Sequence, residues 1–169
     1  MQLLDINKNR YRKHLNVVIA TLIVSLMSLA LLFGQGFIAL LSNPQSDNFI
    51  LNIAGVIVAA VCCVAVLWSI RGHNLMTEVV YVWQLKQVLN KIYRKNREIE
   101  QAAFEQDNKK AMIILNFYYH ASMQLYKLDD NTITLDSLQE RMDKLKNHLQ
   151  VNNMDVQVSE YREDMLKAF

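Results

Sequence analysis

Two long apolar runs fill the first half of the chain, and amphipathic segments fill the second. Residues 15–41 and 49–70 carry no formal charge. At about 1.5 Å rise per residue, roughly 20 helical residues cross a hydrocarbon core, and both runs exceed that length. Backbone polar groups in lipid must be bonded inside their own segment, so both runs are expected to be helices. The first is long for one crossing, which calls for tilt or a protruding end. Residues 42–48 between them are polar and include Pro44, the single proline. Proline disrupts a helix interior, so a tight turn is expected there. A cleaved leader is the rival reading of the start. The first run is far longer than a leader core of about 7–15 residues, and no A-x-A site follows it, so it is read as a span.

Beyond residue 70 the pattern changes to three-four spacing. Val82, Leu85, Leu89, Ile92, Ile99 and Ala103 recur this way, with Asn96 in the missing place. This predicts one long helix over about 74–105, with a coiled-coil-like seam and one polar seam position. A seam closed inside a bundle is the simpler reading, and an intermolecular coiled coil the sharper one. Gly72 is a candidate hinge ahead of this helix. A second helix is expected over 108–128, with Asn108 as its cap. Its centre, residues 112–120, is apolar nearly all round, as in a helix buried on several sides. Thr134 reads as the next cap, followed by Leu135, Leu138, Met142, Leu145 and Leu149 on one face. A final short helix is expected from Ser159, with Tyr161, Met165 and Phe169 on one side. The fold expected is all-α: a two-helix transmembrane hairpin (15–70), after a basic N-terminal segment (1–14), then a cytoplasmic helical bundle with one long helix (71–169).

Charge sharpens this picture. The 169 residues include 18 basic and 16 acidic ones, yet Asp47 is the only charge between residues 15 and 70. Such sorting excludes a wholly soluble enzyme. Two cysteines exclude a disulfide scaffold, and 52% apolar content excludes a disordered chain. Lys8, Arg10, Arg12 and Lys13 precede the first run, Arg71 follows the second, and residues 42–48 hold no basic residue. The positive-inside bias then puts both termini in the cytoplasm, with Trp68 as an interfacial anchor. Residues 71–128 carry a net charge of +4 and residues 129–169 one of −4, which suits helix pairing inside the domain or a basic face toward anionic lipid.

The candidate residues are structural rather than catalytic. Gly55, Ala59 and Cys63 on the second run, and Ala30 and Gly34 on the first, form small-residue rows that permit close helix packing in a membrane. Lys86, Lys91, Arg94, Lys95 and Arg97 make a basic patch without an acidic neighbour. A solvated face is the first reading of it and anionic-lipid contact the second. Without a reading motif, no nucleic-acid partner is expected. The spans contain no Asp, Glu, Lys, Arg or His, so a proton or ion path has no support. His14 and His73 flank the spans, His120 reads as a hydrogen-bonded core residue, and His148 as exposed. No metal-site spacing, phosphate loop or nucleophile motif occurs, so no catalytic, cofactor or metal residue is assigned. The one site hypothesis with chemistry in it gathers Tyr118, Tyr119, His120 and Asp130 around a pocket.

Two stretches carry a resemblance. One is Leu4-Asp5-Ile6-Asn7-Lys8 through Tyr11-Arg12-Lys13-His14-Leu15-Asn16. The other is Asn116-Phe117-Tyr118-Tyr119-His120 through Gln124-Leu125-Tyr126-Lys127-Leu128-Asp129-Asp130-Asn131-Thr132. With the two apolar runs they resemble a family of small two-pass bacterial inner-membrane proteins classed only as a domain of unknown function. The resemblance implies a bacterial inner membrane and brings no substrate, cofactor or catalytic residue. The function expected is a non-enzymatic, self-associating interaction or scaffold module in the lipid bilayer. The alternatives are an accessory subunit of a larger envelope complex, or the small-molecule site just named.

Overall fold

The computed structural model describes residues 1–42 and 47–169. The turn expected around Pro44 falls on residues 43–46, outside the described residues. Helix α1 runs Lys8–Leu41 and α2 runs Phe49–Ile70. The bounds of α2 are those of the second apolar run. Helix α1 starts seven residues before its run, because Lys and Arg support a helix as well as apolar residues do. At about 1.5 Å per residue its 34 residues extend about 51 Å, well beyond one hydrocarbon thickness. Most of their apolar side chains are exposed, among them Leu31, Leu32, Ile50, Val61 and Trp68.

After Ile70 the chain turns through Arg71 and Gly72, and the His73 N–H bonds the Ile70 carbonyl at 2.9 Å. A 3-10 turn, Asn74–Met76, leads into α3, Thr77–Tyr93. The long helix expected over 74–105 is therefore divided. Arg94 and Lys95 form a turn, and α4 begins at Asn96 and ends at Glu105. Neither residue breaks helices by itself. Here the Lys95 N–H closes on the Ile92 carbonyl at 2.9 Å, and the Lys95 ammonium donates to the Leu166 carbonyl at 2.9 Å. The turn redirects residues 96–105 onto α5, Lys109–Asp129, and Ile92 and Ile99 on either side of it are fully buried.

Asn108 caps α5: its Oδ1 accepts from the backbone N–H groups of Lys110 and Ala111, at 3.0 and 3.2 Å. We expect Asn108→Ala to cost about 1 kcal/mol, measured as a lowered urea midpoint at unchanged slope. At the other end Asp130 adopts a left-handed backbone with φ 55, and its N–H bonds the Tyr126 carbonyl. Asp tolerates this conformation better than most residues. Helix α6 follows, Leu135–Val151. Thr134 holds the position expected of a cap, but its hydroxyl is buried without a partner. Its carbonyl does the work, accepting from the Leu138 N–H and the Ser137 hydroxyl. The short terminal helix is instead two 3-10 turns, Val158–Glu160 and Glu163–Ala168.

Two compact units result. One is Asn9–Val80. The other joins Met1–Lys8 with Tyr81–Phe169. This differs from division at residues 14 and 70: the first residues belong with the helical domain, and α3 begins within the hairpin unit. In the helical domain α5 packs against α4, α6 and both terminal turns. Ile114, Leu115, Phe117 and Tyr119 on α5 are almost wholly buried, and the Phe117 ring stacks on Tyr161 with centroids 4.0 Å apart.

Candidate functional site

Three groups of side chains concern function: the seams of the domain, the ties of its N-terminal segment, and a buried carboxylate in the hairpin unit. The seam residues Val82, Leu85, Leu89, Ile92 and Ile99 are all buried inside one chain. An intermolecular coiled coil along this row would have to open the domain. Asn96 is the first residue of α4 rather than a mid-helix seam residue, and its Oδ1 is buried without a partner. On α6, Leu138 and Leu145 are buried, while Leu135, Met142 and Leu149 are half-buried.

The basic patch is partly consumed within the domain. Lys86 pairs with Asp129 at 2.9 Å, Lys91 with Glu163 at 2.5 Å, and Lys95 holds the Leu166 carbonyl. Arg94 and Arg97 are exposed. The basic and acidic halves of the domain thus meet, as pairing inside the domain requires.

Tyr118, His120 and Asp130 do not converge. A cavity of about 510 Å³ between α5, α6 and residues 154–158 is lined by Tyr119 and His120, with Asp143 and Lys146, and not by Tyr118 or Asp130. His120 is exposed rather than a core residue, and its Nδ1 bonds the Asn116 carbonyl one turn back at 2.9 Å. Tyr119 is buried with its hydroxyl 3.3 Å from Glu100; burial first, and the Glu100 charge second, raise its pKa. Asp130 pairs with Lys8. His148 is half-buried rather than exposed, between the Asp107 carboxylate at 2.8 Å and the Phe104 ring. Among the described residues no group of three His, Cys, Asp or Glu gathers as metal ligands.

The N-terminal segment is tied to the domain. The Tyr81 hydroxyl accepts from the Leu4 N–H at 2.9 Å, the Gln124 amide donates to the Leu4 carbonyl at 2.5 Å, and Lys8 pairs with Asp130. The Tyr81 hydroxyl in turn donates to Gln124 Oε1 at 3.2 Å. The two stretches that carry the family resemblance, 4–16 and 116–132, therefore meet through Leu4–Gln124 and Lys8–Asp130.

In the hairpin unit the two small-residue rows face inward. Gly34, Gly55, Ala59 and Cys63 are buried, and Ala30 is half-buried. A Cβ on Gly55 would lie 2.5 Å from the Gly34 backbone nitrogen, so the helices touch there backbone to backbone.

The buried carboxylate is Glu78, only 3% exposed in the first turn of α3. Arg10 and His14, one turn apart on α1, both reach it: Arg10 forms an ion pair and His14 Nδ1 lies 3.1 Å away. Sequence reasoning missed this group. An acidic residue in a first turn reads as a solvated partner of the helix dipole. The only local signal was Arg and His at i, i+4, and their partner lies 64 residues beyond His14. Burial alone would raise the Glu78 pKa. Its own backbone N–H, His14 and Arg10 outweigh burial and hold it below the ordinary value of 4.5. A depressed folded-state pKa contributes stability that is present above the unfolded value and is lost as pH falls through the folded one. We therefore expect wild type to lose thermal stability in acid more steeply than Glu78→Gln, whose midpoint is lower at neutral pH and flatter below pH 4.5. Equal acid slopes in the two proteins would refute this.

No curated protein and no solved structure matches the chain. A family model described as a protein of unknown function (DUF3087) matches residues 1–166, and the chain belongs to that family.

Proposed function

We propose that this protein is a two-pass membrane anchor carrying a helical interaction domain, with both termini on the cytoplasmic face of a bacterial inner membrane. It acts without catalysis, as a self-associating scaffold. Helices α1 and α2 are long and apolar enough to cross a membrane. One observation carries the topology. The segment before the first apolar helix and the domain after the second are hydrogen bonded to each other, through Leu4 with Tyr81 and Gln124. Residues so joined lie on one side of any bilayer, which demands an even number of crossings between them. The basic residues at both flanks favour the cytoplasmic side for them. The seams of the domain are used within the chain, so association between copies falls to the exposed apolar faces of α1 and α2.

Exposed Trp83, Tyr93 and Val151 on the domain favour a second reading, an accessory subunit that offers these side chains to an unlike partner. Carbonate extraction of membranes, followed by crosslinked purification and mass analysis, tests both readings. The scaffold predicts retention in the membrane and a discrete oligomer of this chain alone. A foreign protein at fixed stoichiometry would replace it with the accessory reading, and a strictly monomeric particle would refute self-association.

A further inference from the structure

The hairpin unit contains a groove that no side chain of the described residues fills. Helices α1 and α2 touch at Gly34 and Gly55 and leave a space of about 420 Å³ toward the α1 start and the α2 end. Its walls are Val17, Thr21 and Ser25 on α1, with Val66 and Ile70 on α2, and Leu75 forms one end. The α1 residues stand four apart, so they form one continuous stripe along the helix. The walls are overwhelmingly apolar, and the groove lies within the two helices that cross the membrane in the reading above, on which this inference rests.

The end of the groove changes character. Leu75 is shared with a second, polar cavity of about 360 Å³ lined by Arg10, His14, Asn74 and Glu78. His73 lines the apolar groove itself. Its Nδ1 accepts the Leu75 N–H at 3.3 Å, so in the neutral ring Nε2 carries the proton and donates. Arg71 follows Ile70 directly, its guanidinium 4.2 Å from the centroid of the Trp68 ring. Arg10 at this end is ion-paired with Glu78, so the positive charge left unbalanced is that of Arg71, the residue that follows the groove-lining Ile70. An apolar slot at membrane depth that ends in net positive charge and a donor complements an anionic amphiphile.

We infer that this groove binds one anionic glycerophospholipid of the surrounding bilayer, an acyl chain between α1 and α2 and the phosphate beside His73 and Arg71. A second copy of the chain would fill the apolar walls equally well but gives the cationic end no partner.

The test is native mass spectrometry of the full chain in mild detergent, with phosphatidylglycerol or phosphatidylcholine added. Wild type is expected to hold one phosphatidylglycerol and to prefer it over phosphatidylcholine. Thr21→Trp, which fills the groove, should drop binding to background, and Val66→Trp from the opposite wall should do the same. Circular dichroism checks that each variant keeps its helix content. The double variant Arg71→Gln, His73→Ala should bind both lipids alike. Lipid retention unchanged in both tryptophan variants would overturn the proposal, as would photo-crosslinking from position 21 to a second chain. Carbonate extraction separates the two levels of inference. Release from membranes would overturn the membrane reading and the groove with it. Retention in membranes without bound lipid would overturn the groove alone.

Discussion

Gly55→Leu is expected to separate the two apolar helices and to remove the hairpin as a packed unit. A Cβ at this position would lie 2.5 Å from the nitrogen and 2.7 Å from the Cα of Gly34, and 3.1 Å from the Phe33 carbonyl carbon. All three are backbone atoms of one helix, so no rotamer change relieves the clash and α1 as a whole must move. Overpacking a close contact costs about 1–3 kcal/mol when side chains can adjust, and the upper end or beyond is expected here. Even Gly55→Ala should show most of the loss. The neighbouring glycines supply the controls. A Cβ on Gly34 meets Asn52 Oδ1 at 3.1 Å, the end of a side chain that can turn away, and a Cβ on Gly36 meets nothing within 4 Å. Detergent denaturation curves, with disulfide trapping between cysteines placed on α1 and α2, should rank Gly55→Ala far below Gly34→Ala, and Gly36→Ala with wild type. Equal tolerance at all three positions would mean the helices do not touch there.

The second large effect is expected at Phe117. Its ring is fully buried on α5 and stacks on Tyr161, which is itself 2% exposed. Phe117→Ala removes the largest part of that contact and leaves a cavity at the centre of the domain, for a loss of about 3–5 kcal/mol. The loss should extend to the end of the chain. Tyr161 sits between the two terminal 3-10 turns, and Leu166, buried in the second of them, supplies the carbonyl that Lys95 holds. Hydrogen exchange should show residues 158–168 losing protection along with α5. A domain that keeps its stability, or loses it with the terminal turns still protected, would contradict this account.

How much was legible can be judged at particular residues. The bounds of α2 follow from charge alone, because an uninterrupted apolar run between polar flanks marks the helix without help from tertiary structure. The centre of α5 was legible because residues 112–120 are apolar on every side, which leaves only a buried position. The cap at Asn108 is a local event and reads locally. The break at Arg94 and Lys95 is not local. Both are good helix formers, the three-four spacing continues through them, and the contact with the Leu166 carbonyl comes from 71 residues away. Glu78 eluded sequence reading for the same reason. Its burial depends on two α1 side chains that only the folded hairpin unit brings near. Tyr118, His120 and Asp130 failed as a site because adjacency along a helix distributes side chains around it, so one chain segment seldom supplies a convergent set. The small-residue rows mark where α1 and α2 face each other, but not the groove beyond them, because the groove arises where the helices diverge.

The tie between Leu4 and Gln124 has a consequence for biosynthesis. The segment that carries Leu4 leaves the ribosome before α5, and the Gln124 amide that donates to its carbonyl is made 120 residues later. Everything in between, both apolar helices included, must be synthesised before that loop can close. Closing a loop of this length carries an entropic cost that contacts within one helix avoid. Until α5 emerges, Leu4 and Lys8 lack the Gln124 and Asp130 side chains that hold them. In the membrane reading proposed above, the nascent chain is therefore anchored before its first residues can dock.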